Sequence, residues 1–244
     1  MNSTDKSMKM KIDIWSDVVC PFCYISKRRF EKALSMFEHK DDIEVVWHSY
    51  QLSPEMITQN DKTLYEYIAE RDEITVEDVA LSYDFVREMA QEAGLEFHLE
   101  KTRRINTKNA HRLLQIAKGQ GKGASAEEIL FHAYFIDNIN IDDRDVLIEL
   151  AKELSIDKET LLPLLSSEII DQAVENDIEH AKELGIKGVP YFLIDDEIYV
   201  SGAQTEQIYF DAIEKAWTSW HSNIQEKFSV SEGSSCSQDG ECKI

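Results

Sequence analysis

The sequence predicts an α/β protein: one sheet split into two halves, with a helical block inserted between them. Three patterns in its 244 residues carry that reading. The opening runs strand, helix, strand. The middle has helical periodicity with almost no strand signal. The end runs helix, strand, strand, helix.

Residues 1–9 read as a loose leader. Lys11 to Trp15 alternates polar and apolar side chains, the period of a half-buried strand. Ser16, Asp17, Val18 and Val19 follow, and then Cys20-Pro21-Phe22-Cys23. Phe30, Leu34 and Phe37 recur at i, i+4 and i+7, one face of a helix. Pro21 suits the first turn of that helix, where a missing N–H costs nothing. Cys20 therefore stands where a strand ends and a helix begins. Ile43, Val45 and Trp47 alternate as a second strand, and a parallel crossover is the economical connection.

From Pro54 to about Ser166 the pattern is helical. Thr75 with Asp78, and Ser125 with Glu128, have capping-box spacing, and Gly94 is placed to end the helix that Thr75 starts. From Glu168 the first pattern returns. Val174, Ile178, Ala181 and Leu184 mark a helix face that Gly185 stops. Gly188-Val189-Pro190 leads into the apolar run Tyr191 to Ile194, and Asp195-Asp196 turns the chain into a hairpin with Glu197 to Val200. A last helix covers about Thr205 to Trp220. The polar residues after His221 read as a flexible tail. The expected organisation is one sheet domain from residues 10–53 and 168–221, an inserted helical domain at 54–167, and a cysteine-containing tail at 222–244.

Composition narrows the function. Hydrophobic residues make up 43% and charged residues 30%, the balance of a globular protein. The net charge is −21, from 26 Lys+Arg against 47 Asp+Glu, which argues against nucleic acid and anionic membrane surfaces as partners. No apolar run reaches the about 20 residues of a membrane helix. Residues 1–11 lack the apolar stretch of a secretory signal, so the expected location is the cytoplasm. The four cysteines are too few for a disulfide scaffold. Their two close pairs, Cys20 with Cys23 and Cys236 with Cys242, point to redox or metal chemistry.

A Cys-x-x-Cys pair places two sulfurs across one helical turn, so a disulfide can form and open with little backbone movement. At a helix N-terminus the dipole and free N–H groups stabilise a thiolate. Cys20, the more N-terminal, is expected to be exposed and to exchange with incoming disulfides; Cys23 lies a turn deeper and resolves the mixed disulfide. Pro21 and Phe22 carry neither a cation nor a hydroxyl, which predicts an oxidant milder than the strongest periplasmic ones at about −120 mV. Two other readings compete. The pair can be half of a zinc site, although the remaining cysteines lie far off with no histidine beside them, or both thiols can be inert core residues. Pro190 before an apolar strand is either an ordinary strand-entry proline or a cis-proline facing the thiols.

Three segments carry a resemblance: Asp17 to Phe30, Asn106 to Leu113, and Leu184 to Ile194. Together they resemble the DsbA-type thioredoxin superfamily, and most of all its FrnE-like branch, related to 2-hydroxychromene-2-carboxylate isomerase. The resemblance implies a thioredoxin fold with a large helical insertion. It implies a disulfide oxidoreductase or isomerase of protein or peptide disulfides, kept reduced by a cellular thiol. No bound cofactor or metal is implied; glutathione enters only as a co-substrate. Cys20 is then the nucleophile and Cys23 the resolving thiol. Val189 and Pro190, joined by a cis bond, face the substrate with Pro21 and Phe22. His111, in the second segment, is an accessory candidate against the plainer role of a packed helix histidine. Trp47, His48 and Tyr50 are candidates to line the groove or to pack in the core. FrnE-like proteins carry a second cysteine pair near the C-terminus, so Cys236 and Cys242 are a candidate second redox pair that shuttles electrons to Cys20 and Cys23 or docks on them as an internal substrate, against the plainer reading of an exposed dithiol that oxidises without consequence. The alternative on the same fold is a glutathione-dependent isomerase or transferase, whose relatives carry Ser where this chain has Cys20. A binding module with incidental thiols is the remaining class.

Overall fold

The computed structural model describes residues 9–228 and, beyond them, two short strands at 235–236 and 242–243. Its sheet is built from β1 (Met10–Ser16), β2 (Ile43–Ser49), β5 (Tyr191–Ile194) and β6 (Ile198–Ser201), in the order β2-β1-β5-β6. β1 and β2 are parallel, with Ile12 opposite Val45 and Ile14 opposite Trp47, and α1 (Pro21–Met36) makes the crossover between them. β5 runs antiparallel to β1 and to β6. The β5–β6 turn is the one expected at Asp195-Asp196. Both residues take positive φ, 51° and 56°, the mirror-image turn that matches strand twist.

Alternation along the strands decides what each face meets. Met10, Ile12 and Ile14 join Trp47, Phe192 and Ile194 on one face, under Phe30 of α1 and Tyr209 and Ile213 of α10 (Glu206–Phe228). Trp15, Tyr191 and Leu193 project to the other face, where α9 (Glu168–Glu183) lies with Ala181 against Trp15. α9 ends as expected at Gly185, whose φ of +73° is the left-handed conformation that favours glycine. Leu184, expected on the buried face, is exposed, because the helix has ended there.

Between β2 and α9 stands the helical block. It contains α2 (Leu64–Asp72), α3 (Val76–Ser82), α4 (Asp84–Glu92), α5 (Lys108–Lys118), α6 (Gly123–Phe135), α7 (Arg144–Glu153) and α8 (Lys158–Leu165), with a small ladder of β3 (Gln59–Thr63) and β4 (Arg103–Arg104) at one side. Its core is continuous with the head of α1. Tyr24 stacks on Phe131 at 4.8 Å and on Phe97 at 5.8 Å. Across the same junction Glu128 accepts from Tyr24 Oη at 2.7 Å and Lys27 Nζ at 2.9 Å, and pairs with Arg28.

Three expected helix boundaries move. The Thr75–Asp78 capping box forms, but the helix it starts breaks at Tyr83, whose ring packs on Tyr65 at 5.3 Å; Gly94 ends the next helix instead. Ser125 is not a cap. α6 already begins at Gly123, and the carboxylate of Glu128 is taken by α1. α10 also runs on into the residues assigned to the tail, where 221–228 holds neither Gly nor Pro to stop it. Beyond it, β7 (Ser235–Cys236) and β8 (Cys242–Lys243) pair antiparallel, with Cys236 opposite Cys242; the rest of the expected tail lies outside the described residues.

Phe30 locks α1 to the sheet, with ring centroids 5.2 Å from Phe192 and 6.0 Å from Tyr209. Phe30→Ala is expected to cost about 3–5 kcal/mol of stability, read as a lower urea midpoint with an unchanged m-value.

Candidate functional site

The turn after β1 places the cysteines. Asp17 O accepts from Cys20 N at 2.9 Å, Cys20 is the N-cap of α1, and Pro21 is its first residue, as the sequence requires. Asp17 also fixes the turn to its surroundings. Its Oδ2 accepts from Leu52 N at 2.8 Å, and its Oδ1 lies 3.3 Å from His111 Nε2. Cys20 Sγ donates to Val189 O at 3.7 Å, and the Val189–Pro190 bond is cis. The two ends of the sheet domain thus meet at one sulfur.

Cys20 is not exposed as expected. Only 4% of it is accessible, because the helical block roofs the head of α1. It opens instead on a cavity of about 510 Å³, lined by Pro21 and Phe22 beside it and by side chains of the block such as Val86, Leu99 and Ile105. Cys23, a turn deeper, is wholly buried. Burial raises its pKa well above the usual thiol value, and the neighbouring Cys20 sulfur, through a hydrogen bond and its charge, raises it further. Cys23 therefore holds its proton where Cys20 meets the cavity.

The other candidates separate. His111 is buried behind the turn, against Asp17, and does not line the cavity. The rest of its segment ties the insertion together: Arg112 holds Asp171 of α9 through two bonds of 2.6 and 2.9 Å, and Asn109 holds Asp142. Trp47 packs in the sheet core. His48 sits on the opposite face, stacked on Trp15 at 4.7 Å, between Asp13 at 2.5 Å and Asp177 at 2.7 Å, with Lys118 alongside. Burial disfavours its imidazolium, but the two carboxylates outweigh burial and hold its pKa above the ordinary value. Asp177, opposed by burial yet held by His48 and Lys118, falls to about 2. This is a closed, paired cluster. Tyr50 packs beside it against Trp15 and Ile186. Among the described residues, no group of three or more His, Cys, Asp or Glu side chains gathers as a metal-binding set.

Sequence reasoning missed Glu127. It follows the apolar face of α6 through Leu130, Phe131 and Tyr134, and a charged residue in that stripe was the available signal. Glu127 is fully buried and neither carboxyl oxygen has a hydrogen-bond partner. The Ser16 hydroxyl, itself unsatisfied, acts on both Glu127 and Cys23. Burial pushes the Glu127 carboxyl up to about 7, against the pull of His111 and Lys27.

A dithiol at a helix head, faced by a cis-proline and fed by an apolar cavity, on a mixed four-stranded sheet with a helical insertion: these features define a thioredoxin-fold protein of the DsbA type. The DSBA-like thioredoxin domain model matches residues 11–214, and the chain belongs to that family. It is 28% identical to the uncharacterized protein YwbO of Bacillus subtilis over 211 residues, 84% of this chain and 96% of YwbO. The probable DsbA oxidoreductase SCO1869 of Streptomyces coelicolor superposes with a TM-score of 0.79 at 30% identity, over 96% of this chain and 99% of that one. A 2-hydroxychromene-2-carboxylate isomerase (TM-score 0.59, 15% identity, 91% of this chain and 100% of that one) shares the fold. So does the cytosolic disulfide reductase DsbM of Pseudomonas aeruginosa (0.56, 17%, 88% and 99%). The family is thus one that holds thiol–disulfide oxidoreductases. No described helix is long and apolar enough to cross a membrane.

Glu127 makes stability depend on pH in a defined direction. Its folded value of about 7 lies above the ordinary 4.5, so the folded protein holds this proton more tightly than the unfolded chain. Its contribution is unpenalised below about pH 4.5 and declines as pH rises towards 7, by about 3 kcal/mol in all. Glu127→Gln is therefore expected to stabilise the protein by about 1–3 kcal/mol at pH 8 and to change it little at pH 5. Urea unfolding at the two pH values checks this; equal effects at both would contradict it.

Proposed function

We propose that this protein is a thiol–disulfide oxidoreductase or isomerase of protein or peptide disulfides, with Cys20 as nucleophile and Cys23 as resolving thiol. The carrying observation is the placement of Cys20 Sγ. It caps α1, touches Val189 O at 3.7 Å, and opens on the cavity while Cys23 lies buried behind it.

In the reducing direction the Cys20 thiolate attacks one sulfur of the substrate disulfide. A mixed disulfide forms and the other half leaves as a thiolate, which takes up a proton. Cys23 must then lose its own proton before it can attack Cys20 Sγ and release the second thiol. Glu127 is the buried carboxyl suited to accept that proton, because burial holds its pKa near neutrality. Two electrons pass from the dithiol to the substrate, leaving a Cys20–Cys23 disulfide. A cellular thiol, glutathione among them, restores the dithiol by the reverse exchange. No bound cofactor takes part. Val189 and Pro190, beside the sulfur, provide backbone for an extended substrate, and Pro21 and Phe22 provide contact surface. The cytoplasm suits this direction, since its thiol pool keeps the pair reduced. DsbM, of similar fold, works there as a disulfide reductase.

The tail fits the same scheme. Cys236 and Cys242 are register partners across β7 and β8. In this reading the pair passes electrons to Cys20 and Cys23.

Cys20→Ser is expected to lower insulin-disulfide reduction by roughly a hundredfold or more, whereas Cys23→Ser should accumulate a mixed disulfide with substrate, visible by mass. A Cys20→Ser protein that keeps full activity would instead indicate a glutathione-dependent isomerase. The potential of the Cys20–Cys23 pair, measured in glutathione buffers, is expected to lie well below about −120 mV. A chain ending at Phe228 is expected to turn over more slowly than the full chain. Equal rates would remove the tail from the mechanism.

A further inference from the structure

The cavity beside Cys20 has more definition than a general peptide groove. Its volume, about 510 Å³, is that of a small-molecule site. Val86, Leu99 and Ile105 form buried apolar walls. Leu52 and Phe85 stand at its margin, 49% and 54% exposed, where water would otherwise not favour them.

One charged side chain lines this space, Arg104. It sits on β4, opposite Gln59 of β3, and its guanidinium lies over the Tyr67 ring, 3.7 Å from the centroid. Among the described residues no carboxylate lies within ion-pair distance of it. Lys27, Arg28, Arg29, Arg87 and Arg112 all hold carboxylates; Arg103 and Arg144, like Arg104, are outside the ion pairs among the described residues, but of these three only Arg104 lines the cavity. A guanidinium stacked on a ring keeps its in-plane N–H donors for a planar anion, and a carboxylate is the bidentate match.

Sulfur chemistry, an apolar chamber and one uncommitted cation meet in a single cavity. The geometry points to a substrate class: organic disulfides in which the half attached to Cys20 carries a bulky apolar group and a free carboxylate. The apolar group fills the chamber and the carboxylate pairs with Arg104 while the mixed disulfide forms at Cys20. This rests on the oxidoreductase reading for its chemistry, but the pocket itself does not require exchange to occur. The bonds that form and break are those of the exchange above, with dithiol as reductant and a cellular thiol closing the cycle.

The test uses the full chain and four probes: the disulfide dimers of N-acetyl-Cys-Phe as free acid and as amide, the dimer of N-acetyl-Cys-Gly acid, and oxidised glutathione. The Phe acid is expected to be reduced with a kcat/KM about tenfold or more above each of the others. Arg104→Gln should bring the acid-to-amide ratio near one while keeping the Phe-over-Gly preference; Arg104→Lys should retain part of the acid preference. An acid-to-amide ratio unchanged in Arg104→Gln, or glutathione and the Gly dimer reduced as well as the Phe acid, would overturn the inference. Calorimetry on Cys20→Ser with S-methylated N-acetyl-Cys-Phe, acid against amide, separates the two proposals. Tighter binding of the acid, lost in Cys20→Ser, Arg104→Gln, supports the pocket even if the wild type reduces nothing, an outcome that sinks only the oxidoreductase reading. Equal binding of acid and amide overturns the pocket even if exchange is fast.

Discussion

Asp17 is the constraint on which the site depends. Its carbonyl receives Cys20 N, one carboxylate oxygen receives Leu52 N from the chain leaving β2, and the other faces His111 of α5. One residue thus closes the turn and ties it to the chain leaving β2 and to α5 of the insertion. At 1% exposure these bonds form out of water, where a lost partner is costly. The head of α1 has little freedom to move, and Cys20 meets Val189 from the far end of the chain because both are held against the same frame.

Buried charge is treated in two opposite ways around this frame. On the α9 face, His48, Asp13, Asp177 and Lys118 form a closed cluster, reinforced by Ser49 N and Gln115 on Asp177. Pairing offsets the desolvation of each member, and such a cluster fixes β2 to α9 and α5 without offering a group to a substrate. In the insertion, Glu127 has no bonded partner, and Ser16 and His111, which act on its pKa, each keep an unsatisfied polar atom. A lone buried carboxyl answers desolvation by moving its pKa, so it exchanges a proton near neutrality instead of holding a fixed charge. The first arrangement stabilises; the second lowers stability and gains a group able to take protons.

What could be read from the sequence follows from which forces are local. The strand over Lys11 to Trp15, the proline at the head of α1, the Asp195-Asp196 turn and the Gly185 stop are decided within a few residues, and each reappears in the fold, although the strand read as half-buried is covered on both faces, with Asp13 and Trp15 buried as well as Ile12 and Ile14. The cysteine pair at a helix head was legible for the same reason; the local pattern left Pro190 open between a strand-entry proline and a cis-proline, and only the resemblance to DsbA-type proteins placed it opposite the thiols. The misses are tertiary. Ser125 and Glu128 have the spacing of a capping box, yet Tyr24 and Lys27, about a hundred residues earlier, claim the carboxylate. Cys20 was expected in solvent because its helix position says nothing of the block that covers it. Arg104 looked like any basic residue; only the walls around it and the ring beneath it give it a place.

The division of labour between the chain's parts follows from these contacts. The sheet halves supply the sulfurs and the Val189 carbonyl, which any thiol exchange on this frame requires. The insertion supplies the buried carboxyl of Glu127, the guanidinium of Arg104 and most of the cavity wall beside Cys20. Because Asp17 and the Tyr24–Glu128 junction hold the block to α1, side chains of the insertion can change without moving the sulfurs. Selectivity and proton supply can therefore vary while the exchange chemistry stays fixed, and the order of the chain, with the block inserted between two halves of one sheet, permits that separation.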